Sequence, residues 1–408
     1  MLIFKKGDYS TMKKLFLVFV FLALFSNIVF ANAPFHIGVL TNTVSQSEDE
    51  LRGAEWMLKE YGSVSEGGYI NHLTLPDNFM TEMETTISLI TSYADDPLMK
   101  AIVVNEAIPG IVEGFRRVRE IRPDILLFAG NPHEDPVMVS SVADLSVYTD
   151  NISRGYLAVL EAKKLGAENY VFITFPRHLS MELISRMKSI KEVACQDLGL
   201  NFYVVGAPDP TSDVGVAGAQ QFLLEKVPTW VEQYGQKTAF FSTNASHHEP
   251  LIKRVVEHGG IYIEAQRGTP TMGYPGALGV EFAEEDRGNW PKIVKKIEEK
   301  VVEMGASGRI ACWAYSFAYS MSTGLTEHAK RVIEGTAELL NKDDIMDSIG
   351  KHTGDAKWNG SYYVDANDVE QKNFLLIYQD TYVFGKGYLN LTSEVIPEKY
   401  YDRDIGKK

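Results

Sequence analysis

Residues 35–46 read FHIGVLTNTVSQ. The stretch HIGVLT, His36 to Thr41, has the apolar, β-branched character of a buried strand. The amides and hydroxyls of Asn42, Thr43, Ser45 and Gln46 then end it in a polar loop. Residues 48–62, EDELRGAEWMLKEYG, follow with Leu51, Ala54, Met57 and Leu58 on one helical face and Gly62 as the stop. Strand, polar loop and amphipathic helix form the repeating unit from which the rest of the chain is read.

Moving outward, the unit recurs. INHLTL, KAIVVN, DILLFAG and ADLSVYT read as strands, and TEMETTISLITSYADD and GIVEGFRRVREI as the helices between them. Strands alternating with helices give βαβ units and a parallel sheet covered on both faces, and the near-continuous apolar strands fit that burial. After Thr149–Arg154 the pattern restarts with the helix SRGYLAVLEAKKLG, the strands NYVFITF, NFYVVGA, TAFFSTN, IYIEAQ and ALGVEF, and three more helices. The expected fold is therefore α/β, with two doubly wound parallel-sheet lobes and a ligand cleft between them. Beyond residue 283 come two helices, WPKIVKKIEEKVVEMG and CWAYSFAYSMSTGLTEHAKRVIEG, the second apolar nearly all round and so expected to be buried. The segment NFLLIYQDTYVFGKGYLNL alternates like an antiparallel or edge strand pair.

The N-terminus carries a different signal. Lys13 and Lys14 precede an apolar run from Leu15 to Phe30, closed by Ala31-Asn32-Ala33. This is the three-part pattern of a secretory signal peptide, with residues 1–33 removed near Ala33 and Met12 the expected start. No cysteine follows the apolar run, so no stable membrane anchor is expected and the product is periplasmic or extracellular. Its loss takes four lysines and one aspartate with it and moves the formal charge from −14 to −17. So acidic a chain is a poor partner for nucleic acid, whose phosphates require a basic face. The two cysteines, Cys195 and Cys312, are far apart, and their spacing leaves open whether they pair.

In parallel α/β sheets, ligands bind beyond the carboxyl ends of the strands. With two facing lobes, that rule selects a short set of loops. The first lobe offers Asn42, Thr43, Gln46, Asn105, Asn131 and His133 as contacts. The second offers Phe175, Arg177, His178, Asn244, His247, Arg267 and Tyr274. Amides and guanidinium groups orient a polar solute, while Phe175 and Tyr274 can stack on a ring. Arg177 and Arg267 point to a carboxylate or another electron-rich group, unless each is held in an ion pair. The same residue types also build turns and caps. Ser47 with Glu50, and Thr81 with Glu84, match the capping-box spacing and are assigned to helix starts. Carboxylates Glu48, Asp49 and Glu50 fill the first turn of the first helix and disfavour a phosphate there.

The stretch STNASHHEP, Ser242 to Pro250, raises the question of a metal. With His133, His178, His247 and His248 in cleft loops, a zinc receptor or metal-dependent enzyme is one reading. No pair has the i, i+4 spacing of helical metalloenzyme motifs, and adjacent histidines on one trace point apart. His247 is taken as a ligand contact and His248 as a bystander, with no metal or other cofactor expected. No G-x-S-x-G elbow is present and neither cysteine falls in a cleft loop, so no enzyme activity is expected.

FHIGVLTNTVSQ followed by a second matching lobe resembles the type I periplasmic binding proteins, the solute receptors of ABC importers. The stretches TVSQSEDELRGAEW, PDNFMTEMETTIS, AGNPHEDP, FPRHLS, APDPTSDVGVAGAQQF and TPTMGYPGALG together resemble one uncharacterised bacterial family of that fold. The resemblance implies a monomeric receptor that closes on a small polar ligand by hinge motion and presents it to an ABC permease. The alternative partner is a membrane sensor. A DNA-binding regulator would need a helix-turn-helix where the export signal stands. The resemblance also implies three chain crossovers, placing the second near 282–288 and the third near 356–360. The first lobe is then 34–150 plus about 284–356, and the second 151–283 plus about 357–395, with 396–408 as a tail.

Overall fold

The computed structural model describes residues 32–406 apart from 80, 211 and 264–268. Residues 1–31 of the expected signal peptide (1–33), and Arg267, lie outside the described residues.

The first βαβ unit forms as its sequence dictates. Strand β1 (His36–Thr41) is buried along nearly its whole length. Helix α1 (Val44–Tyr61) carries it away from the sheet's carboxyl edge. Ser47 interrupts α1 with extended backbone (φ −160°, ψ 97°), the geometry of an N-cap, so the regular helix starts after it. The other expected cap is not one: the Thr81 hydroxyl donates to the Asn78 carbonyl, and Glu82 precedes the helix Met83–Ser92 instead.

Around β1, the strands β2 (Ile70–Thr74), β3 (Met99–Asn105), β4 (Leu126–Gly130) and β5 (Leu145–Thr149) pair in parallel, in the order β5-β4-β3-β1-β2. Two further strands extend this sheet beyond β5. They are β11 (Trp358–Val364) and β12 (Glu370–Gln379), with β12 parallel to β5 and β11 antiparallel to β12.

The second sheet runs β7-β6-β8-β9, all parallel, from β6 (Asn169–Thr174), β7 (Asn201–Gly206), β8 (Thr238–Ser242) and β9 (Ile261–Tyr262). A single bridge from Tyr262 to Ile310 carries it on to β10 (Ala311–Trp313), which pairs antiparallel with β13 (Thr381–Val383), itself followed by β14 (Gly387–Tyr388). The molecule is thus two α/β lobes, each with helices on both faces of a mostly parallel sheet.

The later part of the chain divides differently from the expected boundaries. Helix α2 (Trp290–Glu303) was expected in the first lobe, but it buries Trp290, Ile293 and Ile297 in the second lobe's core with Val171 and Phe240. β10 follows it there, so the second crossover lies between Trp313 and Phe317. Helix α3 (Phe317–Ile333) then returns to the first lobe, buried on nearly every side as its composition requires. It lies so close to α1 that a Cβ on Gly53 would stand 2.6 Å from the Ser322 Cβ. Helix α4 (Lys342–Gly350) packs with it, placing Ile345 and Ile349 in the first core. β11 and β12, expected in the second lobe, complete the first sheet. The third crossover is a single residue, Asp380, between β12 and β13. Thus the segment that reads as one strand pair is split between two sheets. Alternation encodes which faces are buried but not which neighbour a strand joins.

Candidate functional site

The carboxyl ends of both parallel sheets face one another across a cavity of about 340 Å³. Asn131, His133 and Tyr148 line it from the first lobe; Arg177, His178, Thr243, Asn244 and His248 line it from the second, with Met181 and Met272. Its size lies at the small end of the range for small-molecule sites.

On the first-lobe side, Asn131 leaves β4 with φ 53°, a left-handed turn that asparagine tolerates better than most residues. Its Oδ1 is buried with no protein partner. Two residues on, His133 Nε2 meets Glu106 Oε1 at 2.5 Å, and the ring packs edge-on to Phe79. Behind Glu106 stands Glu50, whose Oε2 accepts from the Asn42 amide at 3.2 Å and the Glu106 amide at 3.4 Å. Burial, reinforced by the neighbouring Glu106 charge, pushes the Glu50 carboxyl well above its usual range, so Glu50 holds a proton.

On the second-lobe side, the Arg177 guanidinium makes a forked pair with Asp209 at 2.6 and 2.9 Å and lies over the Phe175 ring at 5.3 Å. His178 Nδ1 is 3.0 Å from the Thr243 hydroxyl. Burial and then the adjacent Arg177 charge lower its pKa, which leaves the ring neutral. His248 Nδ1 is 2.9 Å from the Tyr262 hydroxyl. Asn244 turns its Oδ1 back onto the Ser246 amide (2.9 Å) and hydroxyl (2.7 Å), capping the turn after β8 while remaining in the cavity wall.

Of the residues expected from sequence, Asn131, His133, Arg177, His178 and Asn244 converge on the cavity. Apart from Arg267, which lies outside the described residues, the others are engaged elsewhere. Thr43 and Gln46 both bind Asp77, by hydroxyl to carboxylate and by amide to carbonyl, and so pin the loop after β2. Asn42 is buried beside Glu50, with its Oδ1 unpartnered. Asn105 donates to the Ala318 carbonyl and the Ser322 hydroxyl, tying β3 to α3. Phe175 is buried beneath His178, with ring centroids 4.1 Å apart. Tyr274 donates to the Ala311 carbonyl inside the second core. The two adjacent histidines exchange the assigned roles: His248 lines the cavity, whereas His247 is wholly buried with Nδ1 2.9 Å from Ser242 Oγ. The first turn of the following helix rotates His248 toward the cleft, and no feature of a two-residue repeat signals which of the pair turns inward. Tyr148, Met181 and Met272 were not anticipated. Tyr148 lies within a strand rather than beyond its end, and the two methionines carry no polar signal.

Each cavity histidine has one ring nitrogen committed to Glu106, Thr243 or Tyr262. Among the described residues no group of three histidine, cysteine, aspartate or glutamate side chains could hold a metal ion. Cys195 and Cys312 are both buried free thiols, each in the core of its region. Among the described residues no helix is long and apolar enough to cross a membrane.

A family model described as "Protein of unknown function (DUF3798)" matches residues 35–311. Two uncharacterized proteins of Treponema pallidum (strain Nichols) are similar to parts of the chain. One is 36% identical over 217 residues, 53% of this chain and 98% of the relative; the other is 41% identical over 178 residues, 43% of this chain and 80% of the relative. Among solved structures, a "Putative transcriptional regulator from Clostridium difficile 630" superposes with a TM-score of 0.77 at 22% identity, over 86% of this chain and 99% of that one. A sugar ABC transporter protein from Actinomyces odontolyticus ATCC 17982 gives 0.51 at 9% identity, over 85% and 94%. The substrate-binding protein of a sugar ABC transport system from Bordetella parapertussis 12822 gives 0.50 at 10%, over 91% and 94%. At these identities the likeness is one of fold: the two-lobed, type I periplasmic-binding-protein fold.

Proposed function

Because the chain belongs to the family described as "Protein of unknown function (DUF3798)" and builds a cavity with hydrogen-bonding side chains from two such lobes, we propose that it is an exported solute receptor. It captures a small polar molecule between the lobes and delivers it to an ABC-type importer.

The observation that carries this reading is the composition of the cavity wall. Hydrogen-bonding side chains from both lobes face one cavity, so a solute bound by both lobes favours their closed arrangement. The charges in the wall are already matched. Arg177 is forked onto Asp209, Glu106 faces His133, and burial keeps His178 neutral. Such a wall favours an uncharged solute rich in hydroxyl or amide groups over a carboxylate, which would have to displace Asp209 from Arg177. The names of two structural neighbours, both sugar transport components, are in keeping with that class.

The test is to purify the protein from its own cells, identify any co-purifying small molecule by native mass spectrometry, and screen solutes by thermal shift. Uncharged polyols, sugars and nucleosides should raise the melting temperature. His178→Ala and Arg177→Ala should each weaken the stabilising solute by about tenfold or more, the value of one well-placed hydrogen bond. Stabilisation by organic acids alone, or indifference to both substitutions, refutes the assignment.

A further inference from the structure

A second and larger cavity, about 960 Å³, lies outside the cleft. One wall is the outer part of α1, with Trp56 and Lys59, together with His352 just past α4. The facing wall is the second lobe's segment from Glu284 to Pro291, and Tyr315 of the second crossover lies between the two. Two interlobe ion pairs stand at this interface: Arg52 to Glu284 at 2.7 Å and Arg287 to Glu48 at 2.6 Å.

The aromatic wall is held in place by the protein itself. Trp56 is 42% exposed, yet its indole Nε1 donates to His352 Nδ1 at 3.3 Å. That bond puts the ring proton on Nε2, which faces the Glu327 carboxylate at 3.3 Å. Burial works against the charge on Glu327, but hydrogen bonds from His352, Tyr61 and Lys351 outweigh it and hold its pKa down to about 2. A fixed carboxylate therefore orients the histidine, and the histidine orients the indole. On the other wall Trp290 is 1% exposed, packs edge-on to Tyr319 at 5.3 Å, and has an Nε1 donor with no protein partner. An exposed indole held in place on the wall of a cavity is a feature of a binding surface rather than of a solvated seam.

The charges here are not all matched, in contrast to the cleft. Lys59 Nζ lies 5.6 Å from the Trp56 ring centroid, and among the described residues neither Lys59 nor Glu285 forms a salt bridge. Lys59, beside the Trp56 ring, and Glu285, which feels the more distant charge of Lys292, thus bring one cation and one anion outside any salt bridge to the lining of a single aromatic groove. We propose that this groove is a second binding site, taking a zwitterion with an apolar body, the chemistry of a free amino acid or short peptide. The carboxylate faces Lys59, the ammonium faces Glu285, and the body lies against Trp56 and Tyr315. Since the walls belong to different lobes, occupancy of the groove and closure of the cleft are linked, and each must bias the other equally.

The experiment uses the complete exported chain and a free tripeptide with a central phenylalanine, followed by tryptophan fluorescence and calorimetry. Saturable binding is expected, weakened about tenfold by N-acetylation and about tenfold by C-terminal amidation, as loss of one charge contact each implies. Trp56→Ala and Lys59→Glu should abolish it, and His178→Ala should leave it unchanged. Glu285→Lys, at an exposed position, provides a second variant with little burden on folding. No saturable binding, or binding insensitive to Trp56→Ala, Lys59→Glu and Glu285→Lys, overturns the proposal. Binding lost only in His178→Ala also overturns it, by placing the peptide in the cleft, and then bears on the cleft's solute class instead.

Discussion

Gln379 holds Tyr315 by both ends of its amide: the Tyr315 N–H donates to Oε1 at 3.1 Å, and Nε2 donates to the Tyr315 carbonyl at 3.2 Å. Gln379 ends β12 and Tyr315 lies between β10 and α3, so this clasp joins the third crossover to the second. The first crossover is tied to the same place. The Asp150 amide donates to the Ile377 carbonyl at 2.8 Å, and the Arg154 guanidinium lies 4.9 Å from the Trp313 ring centroid. Gln379→Leu leaves both backbone groups of Tyr315 without their partners. It should cost roughly 2 kcal/mol, the value of two modest hydrogen bonds in a buried setting. Hydrogen exchange should localise the effect: the amides of Tyr315 and Thr381 accelerate, while those of Val103 and Phe172, in the sheet centres, change only through the global term. Uniform acceleration would mean that the clasp is not a hinge element.

The lobes also meet through α1. Glu48 receives Arg287 at 2.6 Å, Arg52 reaches Glu284 at 2.7 Å, and the Asp49 carboxylate accepts from the hydroxyls of Thr269 (3.0 Å) and Thr271 (2.7 Å). Exposed ion pairs contribute up to about 1 kcal/mol each, too little to fix the lobes alone but enough to bias how they sit against each other. Glu48→Lys should repel Arg287 and enlarge the radius of gyration in solution scattering. Adding Arg287→Glu restores the pair in reverse and should return the compact form. Raised salt should act in the direction of Glu48→Lys. An unchanged radius in the single variant would show that the arrangement of the lobes does not depend on this pair.

Acid should weaken the protein through histidine before its carboxylates protonate. His247 is wholly buried beside Ser242, and burial lowers its pKa to about 4 from the usual 6.5. Between those values the unfolded chain binds a proton that the folded chain refuses, so stability is full above pH 6.5 and is lost as pH falls towards 4. The size is on the order of 3 kcal/mol. His72, His178 and His328 shift in the same direction, also by burial, and steepen the slope. Urea midpoints measured across this range should fall with acid, and His247→Asn should flatten the fall whatever it does to the midpoint at neutral pH.

The sequence carried the repeating unit because burial leaves a direct trace: FHIGVLT and KAIVVN are apolar through their middles since both faces of their strands are covered. It carried the cleft's location because loops at carboxyl strand ends follow from the winding. It did not carry strand neighbours, so β11 and β12 were placed in the wrong lobe. Nor did it carry which polar residues at a strand end turn inward. Asn105 and Asn131 end adjacent strands with the same side chain. One serves α3 and the other the cavity, and the difference arises from a helix more than 200 residues away in sequence, whose carbonyl and hydroxyl accept from Asn105. The Gln379–Tyr315 clasp is equally long-range.

The acid pair behind His133 was half visible, as a capping-box glutamate whose true neighbours were not. Glu50 and Glu106 are both buried, and only Glu106 has a partner able to carry positive charge, His133. The two carboxyls cannot both be ionised at such separation without a large cost, so the proton resides on Glu50. Its folded pKa is raised, which fixes the sign: the unfolded chain releases this proton near pH 4.5 while the folded chain keeps it, so the contribution is present in acid and declines as pH rises. Glu50→Gln preserves an oxygen to accept from the Asn42 and Glu106 amides, and it has no proton to lose. Its urea midpoint should match that of the unaltered protein at pH 5 and exceed it at pH 8. Glu106→Gln should differ, because it removes the charge that holds His133 in the cavity wall; it should lower solute affinity as well as stability. If Glu50→Gln is instead destabilised equally at both pH values, Glu50 is ionised in the folded protein, and the charge behind the cleft is twice that assigned here.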